Sequence, residues 1–173
     1  MKLLREKFLN KDAYYPTSYK DFVVRLTRVA DVSKSLGTEE EKAGQGKAFA
    51  TVYECFMYAT MLGIKANYQV PIASGSRIAA GEKFLQIKFW KPEELSEYIF
   101  MSLLALSEFS FAELENLTED EAEAKALELV KSMEFYAKGG FELMATKSED
   151  VRHYFENAGN IVSFLQTMKP LGK

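Results

Sequence analysis

Between Lys47 and Leu62 the chain has almost no polar side. Phe49, Val52, Tyr53, Cys55, Phe56, Met57, Tyr58, Met61 and Leu62 would occupy every face of a helix over this segment. A helix that is apolar all round is stable only with neighbours on several sides, so it belongs at the centre of a fold. Gly63 is the expected stop at its C-terminal end. The rest of the chain must therefore supply elements that enclose it.

Several segments can do so. Pro16, with Thr17 or Ser18 as cap, opens a helical pattern in which Phe22, Val23, Leu26, Val29, Ala30 and Ser33 recur at steps of three and four, ending at Gly37. Pro92 opens a second apolar helix that runs to Leu106, with Glu93 and Glu94 suited to its N-terminal dipole. Phe109–Leu117 reads as a short helix or turn. Thr118 and Glu121 have the spacing of a capping box, and Ala122, Ala126, Leu129, Val130, Met133 and Ala137 follow on one face up to Gly139-Gly140. Ser148 is the expected cap of a last helix carrying Val151, Tyr154, Phe155, Ala158, Val162 and Leu165. The expectation is a mainly α fold: one compact helical domain over residues 1–173, with about five helices around the central apolar one. Residues 1–15 read as an N-terminal extension. Residues 64–91, with Pro71, Gly75 and Gly81, read as a long irregular insertion that includes a strand candidate at Phe84–Phe89 and room for one short β-hairpin.

Composition limits the chemistry. The 173 residues are 47% hydrophobic and 13% aromatic, enough to bury a core and to exclude a disordered chain. One Cys excludes a disulfide framework, and one His with one Cys is too little for the usual zinc sets. His153 reads as a surface or boundary residue, and Cys55 as a buried core thiol. Gly44-Gln-Gly46-Lys47 lacks the first glycine and the final Ser or Thr of a phosphate-binding loop, having Glu41 and Ala48 instead. No catalytic set, metal site or cofactor motif is legible. The N-terminus has no uninterrupted apolar stretch of signal-peptide length, and no segment is long enough to span a bilayer, so the expected location is the cytoplasm, away from membranes.

The net charge of −3 conceals a division. Residues 1–92 hold 15 Lys+Arg against 9 Asp+Glu, or +6, whereas residues 93–173 hold 7 against 16, or −9. Either the basic half contacts a partner, nucleic acid included, or the two halves pack together and neutralise each other. Lys20, Arg25, Arg28, Lys34, Lys42, Lys47, Arg77 and Lys88 are the candidates for nucleic-acid or partner contact, with Lys65, Lys83 and Lys91 around the same long loop. The overall pI of 5.4 is low for an autonomous DNA-binding domain.

Three segments resemble a known family. They are Phe49–Gly63 with the following Val70-Pro71-Ile72, then Ile99–Leu106, then Phe135–Leu143. In this order, within residues 17–145, they resemble small accessory proteins encoded beside bacterial DNA phosphorothioation (Dnd) and related phage-defence gene clusters. The resemblance implies a compact helical protein working in a DNA-modification or restriction assembly, and it brings no catalytic residue with it. Three classes of function follow: a non-enzymatic interaction or accessory subunit with a protein partner or a second copy of itself, a DNA-contacting regulator using the basic half, or an enzyme whose carboxylates, such as Asp21 and Glu54, are assembled by folding.

Overall fold

The computed structural model describes residues 1–27, 48–73, 75–80, 86–151 and 153–171. Among these, seven α-helices, three 3-10 turns and one two-stranded sheet make a mainly α architecture. In chain order the helices are α1 (Lys2–Leu9), α2 (Lys20–Leu26), α3 (Val52–Ala66), α4 (Glu93–Leu106), α5 (Phe111–Glu115), α6 (Glu119–Asp150) and α7 (Ala158–Thr167).

The apolar segment is central, as its composition requires. In α3, Cys55, Phe56, Met57, Ala59, Leu62 and Ala66 are all at most 1% exposed. Thr51 caps it by accepting the amide of Glu54, and Glu54 returns its carboxylate to the amide of Ala50 at 2.8 Å. Glu54 is thus a capping residue. Gly63 does not stop the helix. α3 continues to Ala66, where Asn67 takes the left-handed conformation (φ 51°) and the amides of Asn67 and Tyr68 return to Ile64 and Gly63. Gly63 instead lies against the Tyr136 backbone, where a β-carbon would sit 2.8 Å from the carbonyl carbon.

The same reversal holds at Gly139-Gly140. The pair does not end a helix; α6 passes through it and runs 32 residues, about 48 Å at 1.5 Å per residue. Its buried residues, from Ala122 through Leu129, Met133, Ala137 and Phe141 to Met144, keep one face on the core. Both glycines are points of close approach: a β-carbon at Gly140 would fall 2.5 Å from Ala59 C, and one at Gly139 would fall 3.0 Å from Tyr68 C. The principal partner of α3 is therefore α6, and not α4 as the apolarity of α3 and α4 suggests. Ser148 lies inside α6, so it caps nothing. The chain turns after Asp150, with His153 left-handed at φ 61°, and α7 begins under a cap from Asn157.

The expected helix from Pro16 is shorter than its pattern. Thr17–Tyr19 is a 3-10 turn, α2 ends at Leu26, and Thr27 is extended, bridging Phe49 in parallel. The continuation through Val29, Ala30 and Ser33 to Gly37 lies outside the described residues, as do the first two residues of the strand candidate Phe84–Phe89. Within that candidate, Ile87–Phe89 is a 3-10 turn.

Residues 1–15, expected as an extension, enter the core. Leu4 and Phe8 of α1 are fully buried, and Phe8 meets Phe100 at 5.2 Å between ring centroids. Strand β1 (Tyr14–Pro16) pairs antiparallel with β2 (Arg77–Ala79), setting Tyr15 opposite Ile78 and Pro16 opposite Arg77. The strands are far apart in sequence, so this is a long-range ribbon and no hairpin. Phe56, Trp90, Phe100, Phe141 and Phe155, each at most 1% exposed, give the core its bulk, and each contributes about 1.5–3 kcal/mol by burial.

Candidate functional site

Among the described residues, part of the charge division is met inside the molecule. Arg5 of α1 makes a two-pronged pair with Glu97 of α4, its Nε donating to Oε2 at 2.9 Å. Lys7 pairs with Glu119 and Lys11 with Glu123. The lysines are four residues apart and so are the glutamates, so the turns bearing them align in register. Hydrogen bonds with these partners hold the Arg5 and Lys7 pKa above, and that of Glu123 below, the ordinary values. The pairs are partly exposed and screened by solvent, so they orient α1 more than they stabilise it.

The candidate contact residues have separate fates. Arg77 on β2 faces Glu134 of α6, with Nη2 3.1 Å from Oε2 but not aligned as a hydrogen bond. Lys88 donates to Asn10 Oδ1 at 2.7 Å and lies over the Phe89 ring. Lys20 and Arg25 are exposed on α2, Arg25 with its guanidinium 5.3 Å from the Phe22 ring centre. Arg28, Lys34, Lys42 and Lys47 lie outside the described residues, as does Lys83. Lys65 donates to the carbonyl of Gln166 at 2.9 Å, and Lys91 is 4.0 Å from Glu93.

Glu134 is the residue that sequence reading missed. It occupies a core position of α6, 2% exposed, and its Oε1 accepts the amide of Tyr14 at 3.2 Å. Burial pushes its carboxyl up to about 7, against the opposing pull of the Arg77 guanidinium and the Tyr14 amide. It borders a cleft of about 210 Å³ that also includes Lys11, Asp12, Arg77 and Lys131. Asp12 Oδ1 is buried there without a hydrogen bond. The carboxylates that share a cleft are thus Asp12 and Glu134, in place of Asp21 and Glu54. Both oxygens of Glu134 face groups of the β1–β2 ribbon, so the residue clasps that ribbon to α6. Its only sequence signal is a carboxylate on the apolar face of α6, one residue after Met133.

His153 is exposed and its Nδ1 lies 2.5 Å from Glu156 Oε1. Cys55 is fully buried, and burial pushes its thiol far up. Among the described residues no three His, Cys, Asp or Glu converge as a metal set, and no helix is long and apolar enough to cross a membrane.

A second surface is apolar where water would favour charge. α4 buries Ile99, Phe100, Leu103 and Leu104, yet its opposite face presents Tyr98 (66% exposed), Met101 (51%) and Leu106 (51%). Beside it, a groove of about 360 Å³ runs between α3, α4 and α7, with Met61, Ile64, Tyr98, Ile99 and Leu165 in its walls. Val162 of α7 is also exposed, at 54%. Single exposed apolar side chains are ordinary; a stripe at helical spacing beside an apolar groove is the form of a protein-binding surface.

No curated protein and no solved structure matches this chain. One family model does match, over residues 25–169, leaving out α1 and β1, although both contribute to the core. On that match, across most of its length, the chain belongs to the family of DNA sulphur modification system-associated protein 4.

Proposed function

We propose that this chain is a non-enzymatic accessory subunit that binds a protein component of a bacterial DNA sulphur modification system in the cytoplasm. The exposed apolar face of α4 with its adjoining groove carries this reading, because such a surface gains most from being covered by protein. The membership in a sulphur-modification-associated family supplies the assembly. The internal pairing of Arg5, Lys7, Lys11 and Arg77 agrees with it, since cations met by carboxylates of the same chain are less available to phosphates.

The test is co-expression of the full chain with the proteins of its own gene cluster, followed by native mass spectrometry. The expected result is a defined complex with one of those proteins. A chain that elutes alone, or only as a dimer of itself, refutes the reading.

A DNA-contacting role remains the second reading, supported by the exposure of Lys20 and Arg25 on α2. It requires duplex binding that weakens steeply between about 50 and 200 mM salt and falls on Lys20→Ala with Arg25→Ala. Absence of binding, or binding indifferent to salt, eliminates it.

A further inference from the structure

The character of the partner is written in the charges around the α4 stripe. Residues 93–123 contain ten Asp or Glu and no Lys, Arg or His. Part of that charge is met from elsewhere: Glu97 by Arg5, Glu119 by Lys7, Glu123 by Lys11, and more loosely Glu113 by Lys125 and Glu93 by Lys91. Glu94 and Glu108 are exposed and form no ion pair among the described residues. Glu94 stands one turn before Tyr98, and Glu108 stands two residues after Leu106. The apolar stripe Tyr98–Met101–Leu106 is thus bracketed by a carboxylate at each end.

α7, across the groove, carries no ionisable residue at all. Among the described residues, Lys65 is the one cation in the groove wall, and its ammonium is held by the Gln166 carbonyl. From Glu94 to Glu108 the stripe spans about 20 Å, the length of a helix of roughly fourteen residues.

Resting on the docking reading above, we infer that the outer face of α4 receives an amphipathic helix of a protein partner, with an apolar stripe flanked by Lys or Arg at both ends. The apolar stripe and groove meet the partner's apolar side chains, and Glu94 and Glu108 meet its flanking cations. The same bracket disfavours the other occupants. Two copies of this chain paired antiparallel through the face would set Glu94 of one against Glu108 of the other. Nucleic acid or an anionic lipid surface would bring phosphates against the same carboxylates.

The experiment places the photo-crosslinking residue p-benzoylphenylalanine at position 101, and separately at position 24 on α2, in the full chain. Each version is co-expressed with the proteins of its gene cluster, and crosslinks are mapped by mass spectrometry. The inference expects a crosslink from position 101, and none from position 24, to a Lys/Arg-flanked helical segment of one of those proteins. That crosslink should fall about tenfold or more in the double charge reversal Glu94→Lys with Glu108→Lys. These side chains are exposed, so the reversed variant should stay folded, with thermal unfolding lowered only slightly by the loss of Glu94 from the α4 N-terminus. A complex that forms but crosslinks elsewhere, or to an acidic or extended segment, overturns this inference while the binding of a protein from the gene cluster still stands. A crosslink from position 101 to a second copy also overturns it. Absence of any complex overturns both.

Discussion

Replacing Gly140 with alanine should unfold this protein several degrees earlier, against the trend of helix propensity. Gly140 lies inside α6, where alanine is favoured over glycine by about 1 kcal/mol. The added methyl, however, would lie 2.5 Å from the carbonyl carbon of Ala59 in α3 and overlap its oxygen. Non-bonded carbons rest at about 3.5–4.0 Å, so the helices must part by roughly 1 Å. The obstacle is backbone and cannot rotate away.

A gap of that size forfeits a quarter to a half of the dispersion energy of each contact it opens. The seam includes Gly63 against Tyr136 as well as the packing of Phe56 on Phe141. Overpacking of this kind typically costs about 1–3 kcal/mol, and the upper end applies where no side chain can yield. After the propensity gain, a net loss of about 2 kcal/mol remains, or about 4–8 °C in Tm for a chain of this size. Thermal unfolding followed by far-UV circular dichroism, with urea unfolding beside it, measures the loss. A Tm equal to or above the parent's would refute the reasoning, because α3 and α6 would then not meet at this residue.

Glu134 gives a pH signature. Its folded-state carboxyl is raised to about 7, so the folded chain holds a proton that the unfolded chain releases above about pH 4.5. Stability contributed at this site is therefore full below pH 4.5 and is lost as pH rises to about 7. Relative to Glu134→Gln, the parent should weaken by on the order of 3 kcal/mol between pH 4.5 and 7.5 in urea titrations, and a constant difference would contradict the buried clasp. Tyr58→Phe removes the 2.7 Å hydrogen bond to the Ile161 carbonyl and should cost about 1 kcal/mol, with faster amide exchange concentrated in α7; uniform exchange would speak against that anchoring. Thr118→Ala deletes one side of the capping box and should cost about 1 kcal/mol, while Thr118→Ser should restore most of it in the same unfolding assay.

Much of the fold was readable along the chain because local patterns carried it. The all-round apolarity of α3, the acidic first turn of α4 and the Thr118–Glu121 box each place an element without reference to anything distant. Glycine was where local reading failed. Gly63 and the Gly139-Gly140 pair have the form of helix stops, and a glycine that ends a helix has the same sequence as one that admits a neighbouring backbone. Which role it takes depends on whether another helix lies within reach, and Tyr136, Tyr68 and Ala59 supply that neighbour from far along the chain.

The surfaces divide in the same way. From the sequence alone came a mainly α chain with too little His and Cys for the usual zinc sets, a family likeness, and a basic half joined to an acidic half. Tertiary structure decided what the charge division does. It set Lys7 and Lys11 against Glu119 and Glu123, drew Arg77 onto a buried Glu134, and left Tyr98 and Met101 facing water. The physical reason is that helical periodicity determines which residues share a face, whereas only packing determines whether that face meets protein or solvent.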